Sequence, residues 1–154
     1  METFILIIKT VIFCFAATAA FGFIMSAPLK SIPVSSTIAT MGYLLYLYFN
    51  PSSDIAGYFI GTFVITFLGE LAARIMKMPA TIFIFPGVIP LVPGVGIYNT
   101  MTAFVGGDIQ NGISLGFSTC AIAGAMAMAM AVGNMIFIIY SKIKSNQNKI
   151  EQSA

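Results

Sequence analysis

Residues 86–94 read Pro86-Gly87-Val88-Ile89-Pro90-Leu91-Val92-Pro93-Gly94, three prolines and two glycines inside an otherwise apolar stretch. No charged residue stands between Met78 and Gly107, so this helix-breaking run lies at membrane depth. Proline removes a backbone donor and clashes with the preceding helical turn. In hydrocarbon, polar backbone groups freed in this way need protein or a water-filled cavity to satisfy them. Interrupted spans are accordingly the best sequence pointer to a transporter's binding site. A surface turn would be rich in Asn, Asp and Ser. Here the intervening residues are Val88, Ile89, Leu91 and Val92. The run is read as a break within a span, which makes the chain a transporter candidate.

Composition supplies the solvent. The chain has 154 residues, 58% of them hydrophobic and 8% charged, where a soluble domain carries about 25% charged residues. So much apolar surface cannot be hidden in a core of this size, and lipid is the natural surrounding. A formal net charge of +2 is too small and too dispersed for nucleic-acid binding. Histidine is absent, which removes the commonest metal ligand and the usual proton shuttle near neutral pH. Cys14 and Cys120 both fall in apolar runs and read as packing residues rather than a disulfide or metal pair. No cofactor, metal site or enzymatic activity is expected.

The pattern predicts an all-α, polytopic transmembrane bundle of five spans, the fourth broken by the proline–glycine motif. Span one covers about residues 4–27. It lacks a basic leader and exceeds the usual signal-peptide core of about 7–15 residues, so it is read as a retained span. Span two covers 34–49 and is short for a bilayer. Span three starts at Asp54, read as its N-cap, and stops at Lys77-Met78-Pro79. Span four covers 80–105 and span five 112–140. Residues 1–141 form one membrane domain, and the polar tail 142–154 is expected to fray into water.

With five crossings, Lys30, Arg74, Lys77, Lys142, Lys144 and Lys149 share one side, and Glu2, Asp54 and Asp108 the other. The positive-inside rule then places the C-terminus in the cytoplasm and the N-terminus outside. Gly57-x-x-x-Gly61 and Gly112-x-x-x-Gly116 set small residues on one helix face and allow close packing in a bundle or oligomer. The run Ala125-Met126-Ala127-Met128-Ala129-Met130 alternates with period two, which scatters the sulfurs around a helix and argues packing rather than metal binding.

Ionisable residues at membrane depth are costly and therefore informative. Glu70 and Arg74 stand four apart in the order that favours an intrahelical ion pair. They read either as a satisfied pair or, with Glu70 free to titrate, as a coupling or gating site. Lys9, near the outer end of span one, is expected to snorkel outward. Pro86, Gly87 and Pro90 are assigned to the helix break. A helix starting after Pro93-Gly94 turns unpaired N–H groups and a positive dipole end toward a carboxylate. Tyr98, Asn99, Thr100 and Thr102 follow, with Tyr98 and Thr102 on one face. Pro93, Gly94, Tyr98, Asn99 and Thr102 are therefore the candidate substrate-binding residues.

The phrase from Phe85 to Gly94, with Tyr98 four residues on, resembles the C-terminal half of the threonine/serine exporter family. More closely, the chain resembles the small subunit of the two-component succinate exporter of bacterial inner membranes. The resemblance implies secondary export of a small carboxylate, a succinate-like dicarboxylate or threonine and serine, together with a larger companion membrane subunit. It assigns no binding residue by itself. Two other readings stay open: a structural or regulatory membrane subunit that does not transport, and a homo-oligomeric channel. A solvent-accessible cavity along the broken span distinguishes the first reading from these.

Overall fold

The structure is a computed structural model. It describes the backbone of residues 2–50 and 54–153, and the side chains of residues 5, 7–50 and 54–139. Six α-helices follow in order: α1 (Glu2–Ile24), α2 (Ile32–Phe49), α3 (Asp54–Met76), α4 (Thr81–Val88), α5 (Gly94–Val105) and α6 (Ile109–Ser153). A short 3-10 turn, Ile89–Leu91, continues α4. Among the described residues there is no strand. Among the described residues four helices are long and apolar enough to cross a bilayer, and the bent pair Thr81–Leu91 and Gly94–Val105 makes a fifth span when counted as one. Its bend is 48°. A re-entrant loop reverses the chain, whereas this bend leaves both halves advancing in the same sense.

The helix ends follow local chemistry. Ser26 and Lys77 take the left-handed conformation, both at φ 54, and Gly107 does so at φ 81. Behind them Ala27 N–H donates to Gly22 O at 2.9 Å, Met78 to Ala73 O at 3.0 Å and Asp108 to Ala103 O at 3.0 Å. These bonds satisfy carbonyls that the ends of α1, α3 and α5 would otherwise orphan. Asp108 Oδ1 then accepts from Asn111 N–H at 3.1 Å and caps α6. Three buried hydroxyls are satisfied within their own helices, Thr18, Thr40 and Thr66 donating to the carbonyls of Cys14, Ser36 and Thr62, whereas the buried Ser36 and Thr62 hydroxyls find no partner among the described residues. Such back-bonding suits a polar side chain in a medium without water.

Helices α1 to α4 run alternately up and down, and the tightest contact joins α2 to α3. A Cβ on Gly61 would sit 2.9 Å from Gly42 O, and one on Gly57 would sit 3.2 Å from Tyr46 O. The Gly57/Gly61 face therefore packs within the chain. Phe83, Ile65 and Leu91 are at most 1% exposed at the centre. A Cβ on Gly87 would stand 2.8 Å from Ile65 Cγ2, and one on Gly69 2.8 Å from Ile84 Cγ1, so α4 lies as close on α3. Helix α6 uses two partners. Its first turns carry α5, with Gly112 under the Phe104 ring and Gly116 against Thr100. Its later turns lie along α3, with Gly133 against Thr66 and the rings of Phe67 and Phe137 5.0 Å apart.

Several expectations shift. Span three begins and ends as expected, but Asp54 is the first helical residue rather than a cap. Pro86 and Gly87 do not break the helix: both are buried within α4. Pro86 removes one ladder bond, that to the carbonyl of Ile82, and the helix continues through it. The true break follows Pro90, at Val92-Pro93, where Val92 turns to ψ 128 and α5 restarts at Gly94. A residue before proline is pushed out of the helical region, which is why the break falls there. The backbone of α6 also continues to Ser153 instead of ending near residue 140. That stretch contains neither Pro nor Gly and is rich in Lys, Asn and Gln, so nothing in it stops the helix.

Candidate functional site

At the break lies a half-open cavity of about 440 Å³. One wall is the break itself: Pro90, Val92, Pro93 and Gly94. The second comes from the α2–α3 hairpin and carries Tyr43, Tyr46, Tyr58 and Asp54. The third is the α5–α6 hairpin, with Asn99, Ser118 and Thr119. The sequence places the tyrosines by helical spacing: Tyr43 and Tyr46 are three apart on α2, and Asp54 and Tyr58 four apart on α3. The Tyr46 and Tyr58 hydroxyls lie 3.4 Å apart, and their ring centroids 4.5 Å. Tyr43 and Tyr46 rings follow at 5.5 Å. The result is a half-buried aromatic wall with hydroxyl tips and one carboxylate.

The start of α5 faces the same space. Ile97 N–H donates to Pro93 O at 3.1 Å, the first bond of the helix, and Gly94 N–H turns back to Val92 O at 2.7 Å. The amides of Val95 and Gly96 are the remaining first-turn donors, and both residues line the cavity. Gly96 is required by proximity: a Cβ there would meet Thr119 Oγ1 at 2.6 Å. Gly94 has no such neighbour, since nothing lies within 4 Å of an added Cβ.

The sequence-predicted residues divide. Pro93, Gly94, Asn99 and Pro90 line the cavity. Tyr98 does not: it is 71% exposed on the outer face of α5. Thr102 shares that face and spends its hydroxyl on Tyr98 O at 2.9 Å. The i, i+4 pairing of Tyr98 and Thr102 was sound, but the face they share points away from the cavity. Glu70 and Arg74 lie elsewhere and form no ion pair among the described residues. Arg74 Nη2 instead donates to Phe137 O at 3.0 Å, and its guanidinium carbon sits 4.8 Å from the centre of the Phe137 ring. A neighbouring helix outbids the local partner. Glu70 is thus a half-buried carboxylate released from Arg74. Sequence reasoning passed over Tyr43, Tyr46, Tyr58, Ser118 and Thr119 as site residues; the clue was the polar aromatic stripe on both sides of the Asn50-Pro51 turn.

A family model described as "Threonine/Serine exporter, ThrE" matches residues 10–136. The chain belongs to the threonine/serine exporter family. Its apolar helices make it a multi-pass membrane protein. It is 32% identical over 119 residues to a threonine/serine exporter of Corynebacterium glutamicum, covering 75% of this chain and 23% of that protein. It is also 30% identical over 137 residues to an uncharacterized protein of Haemophilus influenzae, covering 80% of this chain and 46% of that protein. The chain therefore spans less than half the length of these curated relatives. No solved structure matches it.

Proposed function

We propose that this chain is the small subunit of a secondary-active exporter of small carboxylates, working with a larger companion membrane subunit by alternating access. The observation that carries the reading is the cavity at the α4–α5 break, bounded by free helix-start amides and by the hydroxyls of three tyrosines. Such amides suit a carboxylate, and hydroxyl and amide side chains suit the rest of a small polar molecule. Succinate-like dicarboxylates and threonine or serine are the substrates to test. Pro93, Gly94 and Asn99 are the proposed contacts from the break, and Glu70 is the proposed coupling carboxylate.

Two observations support the companion. Helix α5 packs on α6 alone among the described elements, leaving Val95 75%, Met101 60% and Val105 91% exposed. The relatives also carry far more chain than this one matches. The bundle is proposed to sit in the bacterial inner membrane with its N-terminus outside. In support, Lys30 and Lys77 lie at the opposite end of the bundle from Asp54, and α6 runs past Arg74 toward the basic tail. Reconstitution with and without the companion, using labelled succinate and threonine, tests the function. Export requiring both chains is expected; robust export by the single chain refutes the two-part reading, and no export from either refutes the transport reading. Impermeant labelling of cysteines introduced at Ser53 and Gln147 tests the orientation, and labelling of both sites from the same side would overturn it.

A further inference from the structure

A second cavity, about 330 Å³, lies between α1 and the break. Its α1 wall includes Lys9, Thr10 and Cys14, and it shares Tyr43 and Pro90 with the larger cavity. Lys9 is exposed, as snorkelling requires, and it also lines this cavity. Its neighbours along α1 are Ile7, Ile8 and Ile12, each exposed to lipid, where an ammonium is poorly tolerated. The cavity is mainly apolar, and Thr10 and Tyr43 bring the hydroxyls that line it beside Lys9. Among the described side chains Lys9 is also the one base at this end: Lys30, Arg74 and Lys77 stand at the other end of the bundle.

We propose that Lys9 is a carboxylate-binding residue of the transport path, holding its ligand across Tyr43 and Pro90 from the larger cavity. The ammonium supplies a full positive charge and three donors, where the amides of Val95 and Gly96 supply only partial charge. Tyr43, shared by both cavities, is placed to pass a carboxylate between them. The ligand class is a small carboxylate, common to dicarboxylates and amino acids. The inference deepens the exporter reading and rests on it for its role, though not for the binding itself.

Amine footprinting tests the binding without transport. Full-length protein in lipid nanodiscs is treated with acetic anhydride, and the modification rates of Lys9, Lys30 and Lys77 are read by mass spectrometry. Succinate, which has no amine to consume the reagent, should slow Lys9 while Lys30 and Lys77 keep their rates, and the neutral succinamide should protect none of them. Equal rates at Lys9 with and without succinate would overturn the proposal, as would protection by succinamide. In export assays with the companion, Lys9→Met should raise KM by about ten-fold or more, the scale of one lost charge-assisted hydrogen bond. Lys9→Arg should restore most of it. A wild-type KM for Lys9→Met at matched membrane abundance also refutes the proposal. Lys9 protection without any export would leave the binding standing and remove the exporter reading instead.

Discussion

Replacing Gly61 by alanine tests whether the packing of α2 on α3 sets the position of the break. The new Cβ would meet Leu91 Cδ2 at 2.8 Å, Gly42 O at 2.9 Å and Tyr46 Cβ at 3.1 Å. Two of these neighbours are fixed to the backbone, and Leu91 is only 1% exposed, so none yields freely. Overpacking of this kind costs about 1–3 kcal/mol. Better helix propensity returns at most about 1 kcal/mol, and less when the denatured state stays helical. The net expectation is a loss of about 1–2 kcal/mol. Gly124→Ala is the matched control, because nothing lies within 4 Å of its added Cβ; it should be neutral or stabilising by up to about 1 kcal/mol. Unfolding by sodium dodecyl sulfate in mixed micelles, followed by circular dichroism, measures both. Because Leu91 closes the 3-10 turn, Gly61→Ala should also depress export. If Gly61→Ala proves as stable as Gly124→Ala, the close approach of α2 and α3 is not the constraint described here.

Other substitutions separate the remaining roles. Pro93→Ala with Gly94→Ala should abolish export at matched membrane abundance while leaving stability nearly unchanged, since the Gly94 Cβ has open space and alanine rebuilds a continuous helix; normal export would make the break a passive turn. Asn99→Ala should raise the KM for export, whereas Tyr98→Phe should leave it unchanged; the reverse order would move the site to the outer face of α5. Arg74→Gln should lower stability by about 1 kcal/mol through the lost Phe137 carbonyl bond, readable in the same micelle titration, and unchanged stability would refute that anchor. Glu70→Gln should flatten the pH profile of export, and an unaltered profile removes the coupling role.

Much of the architecture was legible because lipid imposes simple rules. Every backbone group in hydrocarbon must be paired, so long apolar runs are helices, and charges and turn residues mark their ends. Hence span three was placed at Asp54–Met76 and the bent pair was recognised as an interrupted span. The exact position of the break was less legible. Pro86, Pro90 and Pro93 are alike to a pattern reader, yet Pro86 is held inside α4 by burial while Val92-Pro93 yields. Packing decides which proline breaks a helix.

The site shows the same division more sharply. From the residues alone came the free helix start after Pro93 and a polar follow-on at Asn99, because both depend on neighbours within a few positions. Helical spacing also paired Tyr98 with Thr102 and Glu70 with Arg74, correctly as faces. Which face meets which partner is settled by contacts far apart in the chain. Phe137, 63 residues from Arg74, offers the carbonyl that draws the guanidinium from Glu70. Tyr43, Tyr46, Tyr58, Ser118 and Thr119 converge on the break only because α2, α3 and α6 fold around it. Lys9 joins them through α1 packing beside Pro90. Local sequence determines helices and the polarity of their ends, since those follow from backbone pairing and the bilayer. The cavity belongs to the tertiary structure, since its walls come from five segments that only close packing brings together.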